Sequence, residues 1–246
     1  MMNDFPAQSP SGMKRRRRAF AWQPESDTLI ALATLLAFSL CYYAGTTLNS
    51  LFLWLGILVF GTAIPLWTVL YRRRETLAGV GITRKFLLAS VAVSLVLGAG
   101  SAYQLFALAN AMGADIASHL VANFLVLWEP FFVFGWLYLR WERAFGWLPA
   151  IVLTGLGFMI QHLGSVPLEA AAGFGAFAIM FAIAFALVRN LAVLWPLFYP
   201  VASGIGTLQA GFVMGWGDAG ISAIVLVLQL AIFWWISKKA KSLPAA

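Results

Sequence analysis

Long runs of apolar residues, separated by short polar connections, dominate the chain. Most of these runs hold about 20 residues, the number that a helix rising 1.5 Å per residue needs to cross a ~30 Å hydrocarbon core. The pattern predicts an all-α fold, namely a polytopic membrane helical bundle with about eight transmembrane helices. The runs cover residues 28–48, 51–71, 86–108, 119–139, 148–163, 170–188, 191–214 and 219–236.

Cationic residues lie at alternate connections, on one side of the predicted bundle only. The connections on the other side carry only Asp115, Glu169 and Asp218 as charges. Because short cytoplasmic loops are enriched in Lys and Arg, we expect both termini in the cytoplasm, in a bacterial inner membrane. The sixteen cations are residues 14–18, 72–74, Arg84, Lys85, Arg140, Arg143, Arg189, Lys238, Lys239 and Lys241.

The composition excludes an ordinary soluble domain. Hydrophobic residues make up 62% of the chain and charged residues 10%, whereas about a quarter of the residues of a soluble domain are charged. Anionic headgroups attract each interfacial cation by about 1 kcal/mol, so the net charge of +7 requires no nucleic-acid partner. The expected partner is the lipid bilayer, and the single Cys41 excludes an internal disulfide.

The chain divides into three parts by polarity. Residues 1–26 are polar and basic, and we expect a disordered cytoplasmic tail there. Residues 27–237 form the predicted transmembrane bundle. Residues 238–246 are expected to be a short basic cytoplasmic tail.

Glu129 is the one acid in the middle of an apolar run. An ionisable residue at that depth costs about 2.5 kcal/mol or more on insertion scales, which favours a functional role. Pro130 cannot donate a hydrogen bond to the carbonyl of Val126, so we expect a kink beside the carboxyl group. Two interpretations stay open: a recessed polar cavity, or a neutral carboxyl group that bonds neighbouring helices together.

Other polar residues come at the ends of later runs. His162 ends the fifth run after Gln161 and is either a packing residue at the membrane interface or part of a site. The seventh run contains Pro196 and Pro200, which predict a bent or partly unwound helix. Irregular backbone at that depth is tolerated where it lines a cavity.

Four motifs follow one another in an order that resembles a known family. They are AGVGITR at 78–84, EPFFVFG at 129–135, LRWERAFG at 139–146 and FMIQH at 158–162. In this order they resemble the lGlr segment, the EExxxR-G motif, the basic loop and the FxxxH motif of the CPBP family of intramembrane endopeptidases. That family includes CAAX prenyl proteases and Abi-type proteins, and the resemblance covers residues 77–207.

The resemblance implies that Glu129 and His162 occupy the positions of the Glu and His that activate water for peptide hydrolysis. The chain also departs from the family pattern. Pro130 replaces the second Glu, Phe134 replaces the Arg, and Pro200 and Gly204 stand where an HxxxN motif is expected.

These departures matter for catalysis. A water nucleophile needs a base, a positioning partner and an oxyanion donor, each of which contributes about a hundredfold or more. Besides backbone groups, only Gln161 and Tyr199 are evident as oxyanion donors. Two ligands also fall short of the three that a catalytic zinc requires, so we expect no metal and no cofactor.

The sequence therefore predicts a catalytically impaired homologue that binds or regulates a membrane partner. That partner is an integral membrane protein, a peptide, or a prenyl or other lipid ligand. One alternative is an active divergent endopeptidase that uses Glu129 and His162, and a weaker version pairs Ser203 with His162. Another is a transporter or channel, because the seventh run is broken and an acid is buried. Further cavity candidates are Asn123, Phe158, Gln161, Tyr199 and Ser203.

Overall fold

The computed structural model describes residues 18–242, and this part of the chain is all-α. Six of its helices are long and apolar enough to cross a membrane. This confirms a helical protein of the membrane type, while the number eight and the orientation of the termini stay predictions. The six helices are α1 (Ser26–Thr47), α2 (Leu51–Arg72), α3 (Leu87–Ala111), α4 (Ile116–Phe145), α6 (Leu168–Val188) and α8 (Trp216–Lys241).

The fifth and seventh expected spans are not among these six helices. The fifth becomes α5 (Trp147–His162), whose 16 residues reach about 24 Å. The seventh divides into a 3₁₀ turn (Leu191–Val193) and α7 (Phe198–Gln209). The predicted unwinding near the two prolines is confirmed, because regular helix begins only at Phe198. There the backbone N–H groups of Leu197 and Phe198 both donate to Ser94 Oγ at 3.1 Å.

The second half of α4 is the centre of the bundle. Every residue from Phe131 to Tyr138 is buried. A helix that is apolar on all sides has to be buried among its neighbours, which explains this position. The helix breaks at Val126, where ψ is 77°, and resumes at Trp128. The kink expected from Pro130 is thus confirmed, and it places Glu129 in the first turn of the buried half.

One end of the bundle, here called the basic end, carries Arg72, Arg73, Arg140, Arg143 and Arg189. From the sequence we expected these cations to meet lipid headgroups. In the structure each of them also pairs with an acidic side chain. The buried Asp27 lies 2.6 Å from Arg73 Nε and 3.5 Å from Arg140 Nη1. Hydrogen bonds with Asp27 and Glu25 raise the pKa of Arg73, so this guanidinium stays charged. The ion pairs hold the start of α1, the end of α2 and the end of α4 together.

The terminal segments differ from expectation where the structure describes them. Residues 18–23, here called the N-terminal segment, pair with the connection between α4 and α5. They therefore do not form the disordered tail expected there, because they supply acceptors for the first N–H groups of α5. Residues 1–17 and 243–246 lie outside the described part, and α8 continues beyond residue 237 to Lys241. The hydrogen bonds run from Ala21 N to Phe145 O, Gln23 N to Ala144 O, Trp147 N to Arg18 O and Leu148 N to Ala19 O.

Gly98 lets α3 approach the start of α7. A Cβ added there would lie 2.6 Å from the backbone carbonyl carbon of Leu197, whereas one added to Gly100 would meet nothing from elsewhere in the described chain within 4 Å. We expect Gly98→Ala to lower the free energy of unfolding by about 2 kcal/mol through overpacking. This corresponds to about 4–8 °C in the melting temperature of the purified protein in detergent.

Gly100→Ala is the matched control, on the same helix and with the same added methyl group. It should leave the melting temperature unchanged or raise it slightly, because Ala favours helix by up to ~1 kcal/mol. Equal losses in both variants would contradict the close packing of α3 on α7.

Candidate functional site

The Glu129 carboxylate is buried where three helices converge. Its Oε1 accepts a hydrogen bond of 2.9 Å from Gln161 Nε2 on α5. Its Oε2 accepts a hydrogen bond from the hydroxyl of Tyr199 on α7. The break at Val126 turns this first turn of the buried half of α4 toward both partners. One acid therefore joins α4, α5 and α7, which agrees with both interpretations left open by the sequence.

His162 lies beside the same carboxylate. Its Nε2 is 3.7 Å from Glu129 Oε1, and its Nδ1 is 2.8 Å from the carbonyl oxygen of Phe158. Because a carbonyl only accepts, we assign the hydrogen of the neutral ring to Nδ1, which leaves the Nε2 lone pair facing Glu129. A carboxylate oxygen and an imidazole lone pair repel each other. At 3.7 Å they do not form a hydrogen bond with each other, so a donor bound between them would satisfy both.

Aromatic rings hold the imidazole in place. The ring centroids of Phe158 and Phe174 each lie 4.7 Å from that of His162, and the ring of Tyr42 lies 5.2 Å away. Three rings and one backbone acceptor leave His162 little freedom to rotate. Its Nε2 is thus kept toward Glu129 by packing as well as by hydrogen bonding.

A cavity of about 220 Å³ lies against these groups. One wall is polar, with Glu129, His162 and Tyr199, and most of the remaining surface is apolar, with seven aromatic side chains. All the cavity residues predicted from the sequence line it except Gln161. This residue donates a hydrogen bond to Glu129 without lining the cavity. The lining residues are Tyr42, Thr46, Asn123, Val126, Trp128, Glu129, Phe158, His162, Ser165, Val166, Phe174, Phe177, Phe181, Tyr199, Ala202, Ser203, Thr207, Phe212 and Met214.

The cavity lies toward the end of the bundle opposite the basic end. Thr46 is in the last turn of α1, and Ser165 lies in the connection between α5 and α6. Phe212 and Met214 belong to the connection between α7 and α8. These connections carry no Lys or Arg. If both termini are cytoplasmic, as predicted, the cavity faces the outer side of the membrane.

A second row of polar groups continues along the cavity wall. Ser203 Oγ donates to Asn123 Oδ1 at 2.8 Å, and Asn123 Nδ2 donates to the carbonyl of His119 at 2.9 Å. Thr207 Oγ1 lies 3.2 Å from His119 Nε2. Among the described residues no hydrogen bond joins Ser203 to His162. A serine nucleophile activated by this histidine therefore finds no support in the geometry.

His119 supports the cavity wall without lining it, and sequence reasoning missed this role. It is fully buried, with Nε2 3.0 Å from the carbonyl of Gly204 and Nδ1 accepting from Met214 N at 3.1 Å. Both ring nitrogens are thus used to tie α4 to α7 and to the connection after it. A signal was available, because His119 and Asn123 are four residues apart and share one helix face.

One face of α7 lines the cavity, and another packs against neighbouring helices. Pro200 and Gly204 were expected at the positions of the HxxxN motif, whereas Tyr199 and Ser203 line the cavity. A Cβ added to Gly204 would lie 3.1 Å from Leu105 and 3.4 Å from His119, so this face of α7 points at α3 and α4. The rotation of the helix is set by this close packing, which spacing alone does not specify.

The site is that of a helical membrane protein with a buried acid, an imidazole and a mostly apolar cavity. Within residues 18–242, no group of three or more His, Cys, Asp or Glu side chains is placed to hold a metal ion. No protein-family model, curated protein or solved structure matches the chain. Its function is therefore inferred from its own residues and from the order of its motifs.

Tyr199→Phe should destabilise the protein, because it removes a donor from a buried carboxylate. We expect a loss of about 1 kcal/mol in the free energy of unfolding, or about 2–4 °C in melting temperature. Tyr103→Phe is the control, since this tyrosine on α3 is 82% exposed and its loss of a hydroxyl should have no effect.

The partner of the Tyr199 hydroxyl can be verified by a double-mutant cycle with Glu129→Gln. The two substitutions should be less than additive if the hydroxyl acts through the carboxylate. Strict additivity would contradict the hydrogen bond.

Proposed function

We propose that this chain is a membrane protein related to the CPBP peptidases whose cavity binds a peptide segment of an integral membrane partner without hydrolysing it. The observation that carries the proposal is the state of Glu129. Both of its carboxylate oxygens accept hydrogen bonds from protein side chains, Gln161 and Tyr199, and the cavity beside it is mostly apolar.

The electrostatics of the cavity argue against hydrolysis. Attack on a peptide carbonyl builds negative charge on oxygen, and aimed donors or cations are needed to stabilise it. No Lys or Arg lines the described cavity. Phe134, at the position of the family Arg, is buried against the rings of Phe181 and Phe185. The hydroxyl of Tyr199 is already donated to Glu129, so it is not aimed at a substrate oxygen.

The cavity suits an apolar ligand that carries a hydrogen-bond donor. Phe158, Phe174 and Phe181 offer apolar surface, while Glu129 and His162 offer two acceptors that face each other. A donor placed between Oε1 and Nε2 would satisfy both atoms across their 3.7 Å separation. The backbone N–H of an extended apolar peptide provides this combination. A prenyl or other lipid chain fits the aromatic wall and lacks such a regular row of donors.

The second candidate is an active divergent endopeptidase. It is favoured by the 3.7 Å approach of His162 to Glu129, which is close enough for a water to bridge a base and its partner. In this mechanism Glu129 would take the proton of the water and His162 would orient it. The two candidates make opposite predictions for peptide cleavage.

Photocrosslinking tests whether the cavity binds a partner. With p-benzoylphenylalanine at position 212, at the cavity mouth, irradiation of cells should give one discrete protein adduct. The same residue at position 183, on the lipid-facing side of α6, is the control and should give none, because Ile183 is exposed and lies outside the cavity. Adducts with lipid alone, or equal adducts at both positions, would contradict the proposal.

Purified protein should not cleave unfolded or membrane-anchored peptides in a Glu129-dependent manner. The rate of cleavage is measured for the natural chain, for Glu129→Gln and for Glu169→Gln, an exposed acid that serves as the control. We expect the same background in all three. A loss of tenfold or more in Glu129→Gln alone would establish the peptidase candidate instead.

A further inference from the structure

A second pocket, of about 290 Å³, lies at the basic end of the bundle. Four arginines line it, and its wall is completed by the N-terminal segment. It shares no lining residue with the cavity around Glu129. The four are Arg18, Arg140, Arg143 and Arg189.

Arg140 is the deepest of these arginines, with an exposed fraction of 2%. Its Nη2 donates to the carbonyl of Gly79 at 2.7 Å, and its Nη1 is 3.5 Å from Asp27 Oδ2. Its Nε has no hydrogen-bond partner among residues 18–242. A buried guanidinium with an unused donor is costly, so an acceptor inside the pocket would stabilise it.

Acids offset only part of the charge of the pocket. Arg143 pairs with Glu75 at 2.8 Å, and Arg189 pairs with Glu142. Arg140 has Asp27 at 3.5 Å and Glu75 at 3.6 Å, but Asp27 is shared with Arg72 and Arg73, and Glu75 is shared with Arg143. Arg18 makes no ion pair with the described residues. The pocket therefore keeps an excess of positive charge and has donors from several helix ends.

We propose that this pocket binds a phosphate group and that its source is the headgroup of an anionic phospholipid. Guanidinium groups match phosphate oxygens with paired hydrogen bonds, and basic pockets between helix ends bind such headgroups. The N-terminal segment also carries Phe20 and Trp22, which are 67% and 80% exposed. Exposed aromatic residues beside cations are typical of the interface of a membrane, where headgroups lie.

A bound headgroup would connect two parts of the fold. Arg18 belongs to the N-terminal segment, whereas Arg140 and Arg143 belong to the end of α4. A phosphate held by both would fasten this segment over the start of α5, where Arg18 O already accepts from Trp147 N. Lipid binding should then stabilise the folded protein by mass action.

The test uses the full chain in detergent and counts bound lipid by native mass spectrometry. Phosphatidylglycerol should bind in preference to phosphatidylcholine at equal concentration. Arg18→Gln should weaken phosphatidylglycerol binding about fivefold, the effect of losing one interfacial cation. Because Arg18 has no ion pair with the described residues, this variant should fold. Arg84→Gln, an exposed cation outside the pocket, is the control with the same change of charge and should bind normally.

Melting temperature provides a second measurement. Phosphatidylglycerol should raise it in the natural chain and in Arg84→Gln, and should raise it less in Arg18→Gln. Inorganic phosphate and glycerol phosphate test the soluble source. Stabilisation by these ions that depends on Arg18, without a preference for phosphatidylglycerol, would overturn the lipid assignment. Equal losses in Arg18→Gln and Arg84→Gln, or no lipid preference at all, would overturn the pocket itself.

Discussion

The rest of the structure depends on the buried carboxyl group of Glu129 having partners. A polar group inside a membrane protein must be satisfied by the protein, because lipid offers neither donors nor acceptors. Here the donors come from Gln161 and Tyr199, on two different helices. This requirement brings α5 and α7 against α4 at one depth. The break at Val126, which Pro130 favours because it cannot donate to the Val126 carbonyl, lies directly before the acid and turns the first turn of the buried half toward both partners.

The two ends of the bundle meet the same requirement in different ways. At the basic end, acids and arginines neutralise one another, as Asp27 does with Arg73 and Arg140. Toward the opposite end, uncharged side chains such as Asn123 and Ser203 bond to one another along the cavity wall. Ion pairs thus fix the helix ends that we expect at the cytoplasmic surface. The hydrogen bonds between uncharged side chains lie along the wall of the cavity, deeper in the bundle.

Sequence reasoning found those features that depend on local composition. Apolar runs predicted the long helices, and the prolines predicted the break in α4 and the late start of α7. The convergence of Glu129 and His162 followed from the resemblance and not from periodicity. Tyr199 and Ser203 were expected at the cavity and line it, whereas the HxxxN positions Pro200 and Gly204 do not. Spacing alone does not specify this rotation of α7, which the close approach of Gly204 to His119 sets. The order of the N-terminal segment was also missed, because the acceptors that α5 needs are provided by a tertiary contact.

Whether this site binds or hydrolyses a peptide depends more on the charges around the cavity than on whether a ligand can still hydrogen-bond to Glu129. A carboxylate oxygen has two lone pairs, so Glu129 could accept a further hydrogen bond even while Gln161 and Tyr199 donate to it. Proximity of a base alone is not enough, since the oxyanion that forms during peptide hydrolysis needs donors aimed at it. The arginines of the described structure are gathered at the other end, and Phe134 puts an aromatic ring where the proposed relationship to the CPBP peptidases predicts a cation. A site with acceptors and no cation favours a ligand that donates hydrogen bonds over a transition state that gains negative charge.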